Sequence, residues 1–516
     1  MSDSEPTYAA LVEALAASQR MNEALTEQVA QLQAALRHQT RLMEGLQRQV
    51  GVLLAHQHGE RPPPPKPPPP KTDRDDSEPP ASPPSATQPP PRRKKTPPKK
   101  KTPKRKALPE SLERRVEEHA VCTCPDCGSG NLAQLAPEVS EKLEYVRAHV
   151  RVHKTVRQSV RCRGCGTLST APLPPQAVPG GSMKASMLAR VAYAKCGLHL
   201  PLVRIAQDLR HLGVSIAKST MCDAMKHVST LVRPVVGRIV QRLFRSDVIH
   251  TDGTGLKVLE PGTKGSHRGQ FAAFCNDELT VYNFSPSKHG EHFAEFLRVG
   301  QEGAYKGKLV ADAASNMNLL FADKGIIECG CWYHLRKKFE EARPGAPLHA
   351  EEGLAWVGCL FDVDAEADDA GDDLAARLAR RREHGRPLVA GFEKWMDEVR
   401  QHYLPDEELF KATQYYRNHR GALLRFLEDA KVPLSNNLAE RELGVIGRGR
   451  KAYLFAGSDE GGRRLGHIYT VVRTCQRMGI DPFAYLADVL PRLSVMKTNR
   501  GPKLLDQLVP WAWKPA

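Results

Sequence analysis

The sequence predicts a multidomain α+β protein whose catalytic core is a mixed β-sheet covered by helices. Three observations predict it: a long heptad pattern near the N-terminus, two Cys-x-x-Cys pairs, and two apolar runs that each end in an aspartate. A chain of 516 residues exceeds the size of a single hydrophobic core, so we expect separate domains.

The composition indicates a polyanionic partner inside a reducing compartment. The net charge is +16 and the isoelectric point is near 9.3, as in many proteins that bind nucleic acid. Twelve cysteines are too sparse and scattered for a disulfide framework. We find no signal peptide and no run of about 20 apolar residues. We therefore expect a cytoplasmic, nucleoid-associated protein with no membrane partner.

Residues 1–55 are predicted to form a leucine-zipper-like coiled coil. Apolar or polar seam positions alternate in steps of three and four from Tyr8 to Val50, and Asn22 and Gln39 are polar members that can fix the register. This pattern favours a homo-oligomer, because an exposed apolar seam needs a partner. A single amphipathic helix folded back on the body is the alternative.

Residues 56–110 are predicted to be a disordered linker. The stretch 61–71 is nearly all proline, and 92–106 is mostly lysine and arginine. The basic part is expected to add salt-sensitive attraction to phosphates. A merely solubilising linker and a nuclear localisation signal are alternatives.

Residues 115–172 are predicted to bind structural zinc. Two Cys-x-x-Cys knuckles have the spacing that lets four thiolates bind one zinc ion tetrahedrally. The sequence between them is strand-like at 145–160, where we expect a β-hairpin. The four candidate ligands are Cys124, Cys127, Cys162 and Cys165. Cys122 lies outside the pairs as a possible substitute, and a redox role is the alternative.

Residues 183–245 are predicted to be a helical DNA-binding region. Helices at 202–211 and 219–231, joined by a turn at 212–214 with Gly213, are typical of a helix-turn-helix with a Ser/Thr cap on its second helix. Lys218 would then be available for DNA. An ordinary helical hairpin fits equally well.

The element order from 246 onward predicts a ribonuclease-H-like core. Three hairpin-connected strands, at 248–258, 270–275 and 279–284, precede a helix at 291–299, a strand ending at Asp312 and a strand at 326–328. In that arrangement the first and fourth strands are neighbours. We therefore expect Asp252 and Asp312 to lie close together within the first part of the core, residues 246–334.

Residues 335–430 are charged and helical in pattern, which predicts an insertion before the last core helix. That helix and a basic segment occupy 431–490, followed by a tail at 491–516. Asn436 or Asn437 is expected to cap the helix, and Glu440 falls in its first turn. Glu442 is the competing choice of acidic residue on this helix.

The run 447–451 is basic and is expected to be flexible. The candidate DNA-binding residues are Lys218, Arg336, Lys337, Lys338, Arg441, Arg448, Arg450 and Lys451.

Asp252, Asp312 and Glu440 are the candidate catalytic and metal-binding residues. Three carboxylates on separate core elements suit two Mg²⁺ or Mn²⁺ ions acting on a phosphodiester. A second metal candidate is the zinc-like spacing of Cys329, Cys331 and His334. The alternative is that these cysteines are buried and His334 lines a DNA-facing helix.

The chain resembles transposases of the bacterial insertion-sequence family IS66 over almost its whole length. Besides the cysteine knuckles, the matching segments are 200–204 (LPLVR), 251–254 (TDGT), 310–313 (VADA), 331–339 (CWYHLRKKF), 436–441 (NNLAER) and 447–462.

The resemblance implies a DDE triad at Asp252, Asp312 and Glu440, a leading zipper, a zinc-finger domain and an inserted helical region. It also implies strand cleavage and transfer on element ends and target DNA, with helper proteins encoded by the same element. A structure-specific nuclease or resolvase of the same fold, and a catalytically inactive zinc-dependent DNA-binding regulator, are the alternative functions.

Overall fold

The computed structural model describes residues 8–57, 149–157, 159–161, 168–170, 176–178, 180–260, 262–263, 265–298, 304–312, 321, 325–496 and 501–515. The chain divides into two compact units, one comprising 1–62 with 150–516 and the other 63–149. The predicted linker, apart from its first two positions, lies outside the described residues. So do the four candidate zinc ligands.

Helix α1 (Tyr8–Gln57) begins the first unit and confirms the predicted helix. Strands β1 (Ser159–Arg161) and β2 (Leu168–Thr170) pair antiparallel on either side of positions 162–167. The predicted hairpin between the two knuckles is therefore wrong where the chain is described, since 149–157 is irregular. The observed hairpin instead flanks the second knuckle.

Helices α2 (Ala185–Cys196), α3 (Leu202–His211) and α4 (Lys218–Leu243) follow. The turn between α3 and α4 contains Gly213 at φ +82, a left-handed conformation that glycine adopts without strain. The predicted Ser/Thr cap is wrong, because Ala217 occupies the N-cap of α4 with no side-chain bond. The second helix is also longer than predicted.

Five strands of the main sheet lie side by side in the order β5-β4-β3-β6-β7. Strands β3 (Val248–Leu259), β4 (Ser266–Cys275) and β5 (Thr280–Ser285) are antiparallel neighbours. After α5 (Gly290–Arg298), strands β6 (Lys308–Val310) and β7 (Ile327–Cys329) add in parallel to β3. The first and fourth strands of this sheet are therefore adjacent, as the element order predicts.

The segment after β7, predicted to be a helical insertion at 335–430, is helical, and its first helix begins at Trp332. Its helices are α6 (Trp332–Ala342), α7 (Pro347–Ala370), α8 (Leu374–Arg380), α9 (Arg386–Arg400) and α10 (Glu408–Leu423). A buried aromatic cluster, including Trp332, Phe392 and Tyr416, forms its core. Arg381, 2% exposed, donates to the Phe426 and Val432 carbonyls and secures the end of the insertion.

The chain then returns to the sheet through α11 (Asn437–Tyr453) and β8 (Phe455–Ala456), which pairs with β3. Helices α12 (Asp459–Arg477), α13 (Pro482–Ser494) and α14 (Gly501–Leu508) complete it. A first hydrophobic core joins the sheet to α2, α4, α12 and α13, and a second fills the insertion. Across the described residues, no helix combines the length and hydropathy needed to cross a bilayer.

Helix α1 lies against α7 and α9 of the insertion through a face of small and polar residues. Ala34 is buried there, and Gly45 approaches the Glu351 side chain so closely that a Cβ would collide with it. The His38 ring stacks on Trp356, and Arg37 pairs with Glu366 at 2.8 Å. The folded-back arrangement left open by the sequence is therefore present.

The predicted apolar seam of α1 is not the face that contacts the insertion. Leu25, Val29, Leu32, Leu36 and Met43 are all at least 50% exposed. At 100° per residue, these positions lie on the side of the helix opposite Ala34, Arg41 and Gly45. One helix thus carries a packed polar face and an exposed apolar face.

Candidate functional site

The register of β3 and β6 places two aspartates at equivalent heights. Val248 is paired with Lys308 and His250 with Val310, so two further residues along each chain lead to Asp252 and Asp312. Neighbouring strands are about 4.8 Å apart, which brings both carboxylates to one edge of the sheet. This agrees with the predicted proximity of the two side chains.

Glu440 reaches the same edge from the first turn of α11, which packs on β3 and β4. Burial raises the pKa of Asp252 to about 6, a donated hydrogen bond from Gly253 N–H opposes the rise, and the charges of Asp312 and Glu440 add to it. A partly buried carboxylate surrounded by like charges is the environment that a bound cation stabilises.

His334 lies between two of these carboxylates. Its Nε2 atom is 3.6 Å from Asp312 Oδ2 and 3.8 Å from Glu440 Oε1. Burial lowers the pKa of His334, but interactions with Cys331, Asp312 and Glu440 outweigh burial and raise it to about 9. The sequence offered His334 only as a zinc or helix-face candidate. Its position just after a core strand, in the first turn of α6, is the feature that could have predicted its place beside the carboxylates.

The three carboxylates fit a hard divalent cation by chemistry, since oxygen ligands are what Mg²⁺ prefers. Among the described residues, no group of three or more His, Cys, Asp and Glu side chains is close enough to hold a metal ion as it stands. Binding would therefore require the side chains of Asp252, Asp312 and Glu440 to turn toward one another.

The structure does not support a second metal site at Cys329, Cys331 and His334. Both cysteines are fully buried, and burial raises the pKa of Cys329 to about 12. The Cys331 sulfur instead accepts a hydrogen bond from the Asn436 backbone N–H at 3.2 Å. The alternative of buried cysteines is the one observed.

Asn436 joins three elements that carry the site. It is 0% exposed, its Nδ2 donates to Thr251 O at 2.8 Å, and its Oδ1 lies 3.2 Å from His250 Nδ1. Its carbonyl accepts from Glu440 N–H. Asn436 occupies the predicted N-cap position, but the predicted side-chain cap is wrong, because the amide is used to bind β3.

Glu442 faces away from this edge into a buried ion pair. It is 1% exposed, with carboxylate oxygens 2.7 and 2.9 Å from Arg473 and a further contact to Arg477. Burial would raise the pKa of Glu442, but the hydrogen bonds and charges of Arg473 and the charge of Arg477 outweigh burial and lower it. Glu440 is the glutamate of this helix that is near the two aspartates.

The candidate DNA-binding residues are mostly exposed. The exposed ones are Lys218, Arg336, Lys337, Arg441, Arg448 and Lys451. Lys338 is partly exposed and pairs with Glu341, whereas Arg450 donates to Thr254 Oγ1 and to the Gly255 carbonyl. The predicted flexibility of 447–451 is wrong, because α11 continues through that run to Tyr453.

Replacing Asn436 with alanine is expected to weaken metal binding about tenfold or more, because partners that orient ligands typically contribute that much. The free energy of unfolding should also fall by about 1–3 kcal/mol, because the Thr251 carbonyl loses its buried donor. Mn²⁺ titration followed by electron paramagnetic resonance measures the first effect. The exposed neighbour Asn437→Ala is the control. Equal Mn²⁺ affinities in the two variants would contradict this role.

Replacing Glu442 with glutamine is expected to destabilise the fold by about 3 kcal/mol or more, because Arg473 and Arg477 lose a buried partner. Urea unfolding at pH 7 measures this, with Glu440→Gln as a control that should cost little. The lowered pKa of Glu442 means that its contribution is present above about pH 4.3 and is lost as the pH falls below that. If the difference in the free energy of unfolding between wild type and variant is as large at pH 2 as at pH 7, this assignment is contradicted.

Comparisons with known proteins agree with this organisation. The family model described as "Transposase IS66 family" matches residues 180–464, "zinc-finger binding domain of transposase IS66" matches 122–166, and "IS66 C-terminal element" matches 470–511.

Relatives in Sinorhizobium fredii (strain NBRC 101917 / NGR234) extend over most of the chain. Uncharacterized protein y4hP is 30% identical over 442 residues, covering 80% of this chain and 78% of its own length. Uncharacterized protein y4qI is 28% identical over 430 residues, covering 80% and 78%. With a zinc-finger domain, a transposase domain that spans the sheet and insertion, and the C-terminal element all matched in order, the chain belongs to the IS66 family of transposases.

Proposed function

We propose that this transposase is a DDE enzyme that cleaves the ends of an insertion sequence and transfers them to target DNA, with Asp252, Asp312 and Glu440 as its catalytic triad. The register of β3 and β6, which aligns Asp252 on β3 with Asp312 two residues after β6, is the observation that carries the proposal. Glu440 approaches from α11, and the charges of Asp312 and Glu440 both contribute to the raised pKa of Asp252.

The strand arrangement supports a ribonuclease-H-like core. Three antiparallel strands form one side of the sheet, and two parallel strands extend it beyond β3. Such a core places residues from separate strands and a helix at one edge, where a DNA backbone can reach them. The insertion then accounts for the long separation between Asp312 and Glu440 along the chain.

Each residue has a defined part in this mechanism. Asp252, which is partly buried, would hold the Mg²⁺ or Mn²⁺ ions together with Asp312 and Glu440. Such ions activate an attacking water or 3′-hydroxyl and neutralise charge on the leaving oxygen. The exposed cations Arg441 and Arg448 on α11 would hold the DNA backbone beside the carboxylates.

Zinc is proposed to be structural, in the domain matched at 122–166. Cys124, Cys127, Cys162 and Cys165 are its proposed ligands. In support, β1 and β2 pair on either side of the segment 162–167 that contains the second cysteine pair. Nucleoid association and the use of helper proteins encoded by the same element are further parts of the proposal, which rest on family membership and the net charge of +16.

Asp252→Asn and Glu440→Gln are expected to bind end-containing DNA like wild type but to lose at least about 10³-fold in cleavage and joining, because transition-state charge is no longer neutralised. A cleavage and strand-transfer assay with Mg²⁺ or Mn²⁺ measures both steps, and Asn437→Ala serves as the control. Joining by either variant at the wild-type rate would exclude the triad. Cleavage by wild type without any joining would favour a nuclease or resolvase.

We further propose that α1 pairs with α1 of a second copy through its exposed seam. The face that binds the insertion is opposite, so the seam is accessible while α1 stays docked. Asn22 falls at an a position of the heptad, where a buried asparagine favours a defined register. The flanking positions Gln28, Gln33 and Thr40 are uncharged, so identical helices meet without like-charge repulsion.

The double variant Leu32→Lys/Leu36→Lys is expected to dissociate the homo-oligomer at concentrations where wild type is associated. Each leucine contributes about 2 kcal/mol on burial, so the dissociation constant should rise by more than about 10²-fold. Sedimentation equilibrium of the full chain measures this. Glu27→Lys, exposed on the side of α1 away from the seam, is the control. Identical masses for all three proteins would refute pairing through the seam.

A further inference from the structure

His334 lies at the carboxylate edge formed by Asp252, Asp312 and Glu440, and the proposed triad does not use it. It lies in the first turn of α6, directly after the strand β7 and the buried Cys331. Its side chain is 21% exposed and directs Nε2 toward Asp312 and Glu440 at 3.6 and 3.8 Å. It is thus accessible from outside while facing two proposed metal ligands.

The chemistry of His334 argues against a role as a Mg²⁺ ligand. Mg²⁺ strongly prefers oxygen donors, whereas imidazole is typical of Zn²⁺ and other transition metals. The two cysteines that would complete a zinc site are buried, and the Cys331 sulfur already accepts the Asn436 N–H. Among the described residues, the imidazole therefore faces the two carboxylates without belonging to a group that could hold a metal ion.

We propose that His334 contacts a non-bridging oxygen of the reacting phosphate of DNA. Asp312 and Glu440 would hold the divalent cations that bind phosphate, so a phosphate at this edge would present an anionic oxygen to the imidazole N–H. With the carboxylates engaged by cations, an oxygen of the phosphate would replace them as the acceptor for the imidazole N–H. His334 is then a catalytic residue that stabilises charge on the phosphate, in addition to the triad. This inference rests on the proposed DDE function.

The test compares His334→Gln and His334→Ala with His402→Gln in the full-length protein. His402 is an exposed histidine of the same insertion, so its variant is matched in chemistry and distant from the carboxylates. Three quantities are measured for each protein: melting temperature, Mn²⁺ affinity by electron paramagnetic resonance, and the rate of end cleavage. A fourth is the decrease in cleavage rate when one non-bridging oxygen of the scissile phosphate, at either position, is replaced by sulfur.

Both His334 variants are expected to keep the melting temperature and the Mn²⁺ affinity of wild type but to cleave about 10²-fold more slowly, the usual cost of removing one donor to a developing anion. Sulfur at the contacted position should lower the cleavage rates of wild type and His402→Gln by a larger factor than the cleavage rate of His334→Ala. This last effect distinguishes direct contact from a merely structural role.

Other results overturn the inference. A tenfold loss of Mn²⁺ affinity in His334→Gln would make His334 a metal ligand, and an unchanged cleavage rate or an unchanged sulfur effect would remove it from the phosphate. If Asp252→Asn also cleaves normally, the DDE proposal itself fails. If Asp252→Asn is inactive and His334→Ala is normal, only the role of His334 fails.

Discussion

The parallel pairing of β3 with β6 is the constraint on which the site depends. Only three residue pairs join these strands, yet they fix the heights of Asp252 and Asp312 relative to each other. A slip of one residue would turn the paired residues of β6 to the opposite face of the sheet and change the height of Asp312 relative to Asp252, because side chains alternate along a strand. The remaining elements of the core act to keep this short pairing in register.

Asn436 is the main device that transmits this register to α11. Its side-chain amide binds Thr251, the residue before Asp252, and its backbone binds both Cys331 and Glu440. The two ends of the insertion therefore meet at one buried residue. Arg381 adds a second anchor by holding the Val432 carbonyl a few residues upstream. The insertion can be long without loosening the site, because its two junctions, at Cys331 and Asn436, are hydrogen-bonded to each other and Asn436 is hydrogen-bonded to β3.

The strands, the insertion and the nearness of Asp252 to Asp312 could be predicted because they depend on local hydrophobic patterns and on strand order. The role of Asn436 could not. Helix-start statistics favour an asparagine cap, and the competing bonds to Thr251 and Cys331 come from residues more than 100 positions away. The helical state of 447–451 could not be predicted either, because glycine lowers helix propensity and the tertiary packing of α11 on β3 and β4 overrides that preference.

The heptad pattern of α1 predicted a helix with one interacting face, whereas the helix has two. Its small and polar face could not be recognised in sequence, because Arg41 pairs with Asp362 and Gly45 lies against Glu351, both on α7 and more than 300 residues away. The consequence is mechanical. The insertion is bonded to the core at Asn436 and to α1 through ion pairs and the stacking of His38 on Trp356. A second copy bound to the seam would therefore be connected to the carboxylate edge through folded structure, with no dependence on the linker.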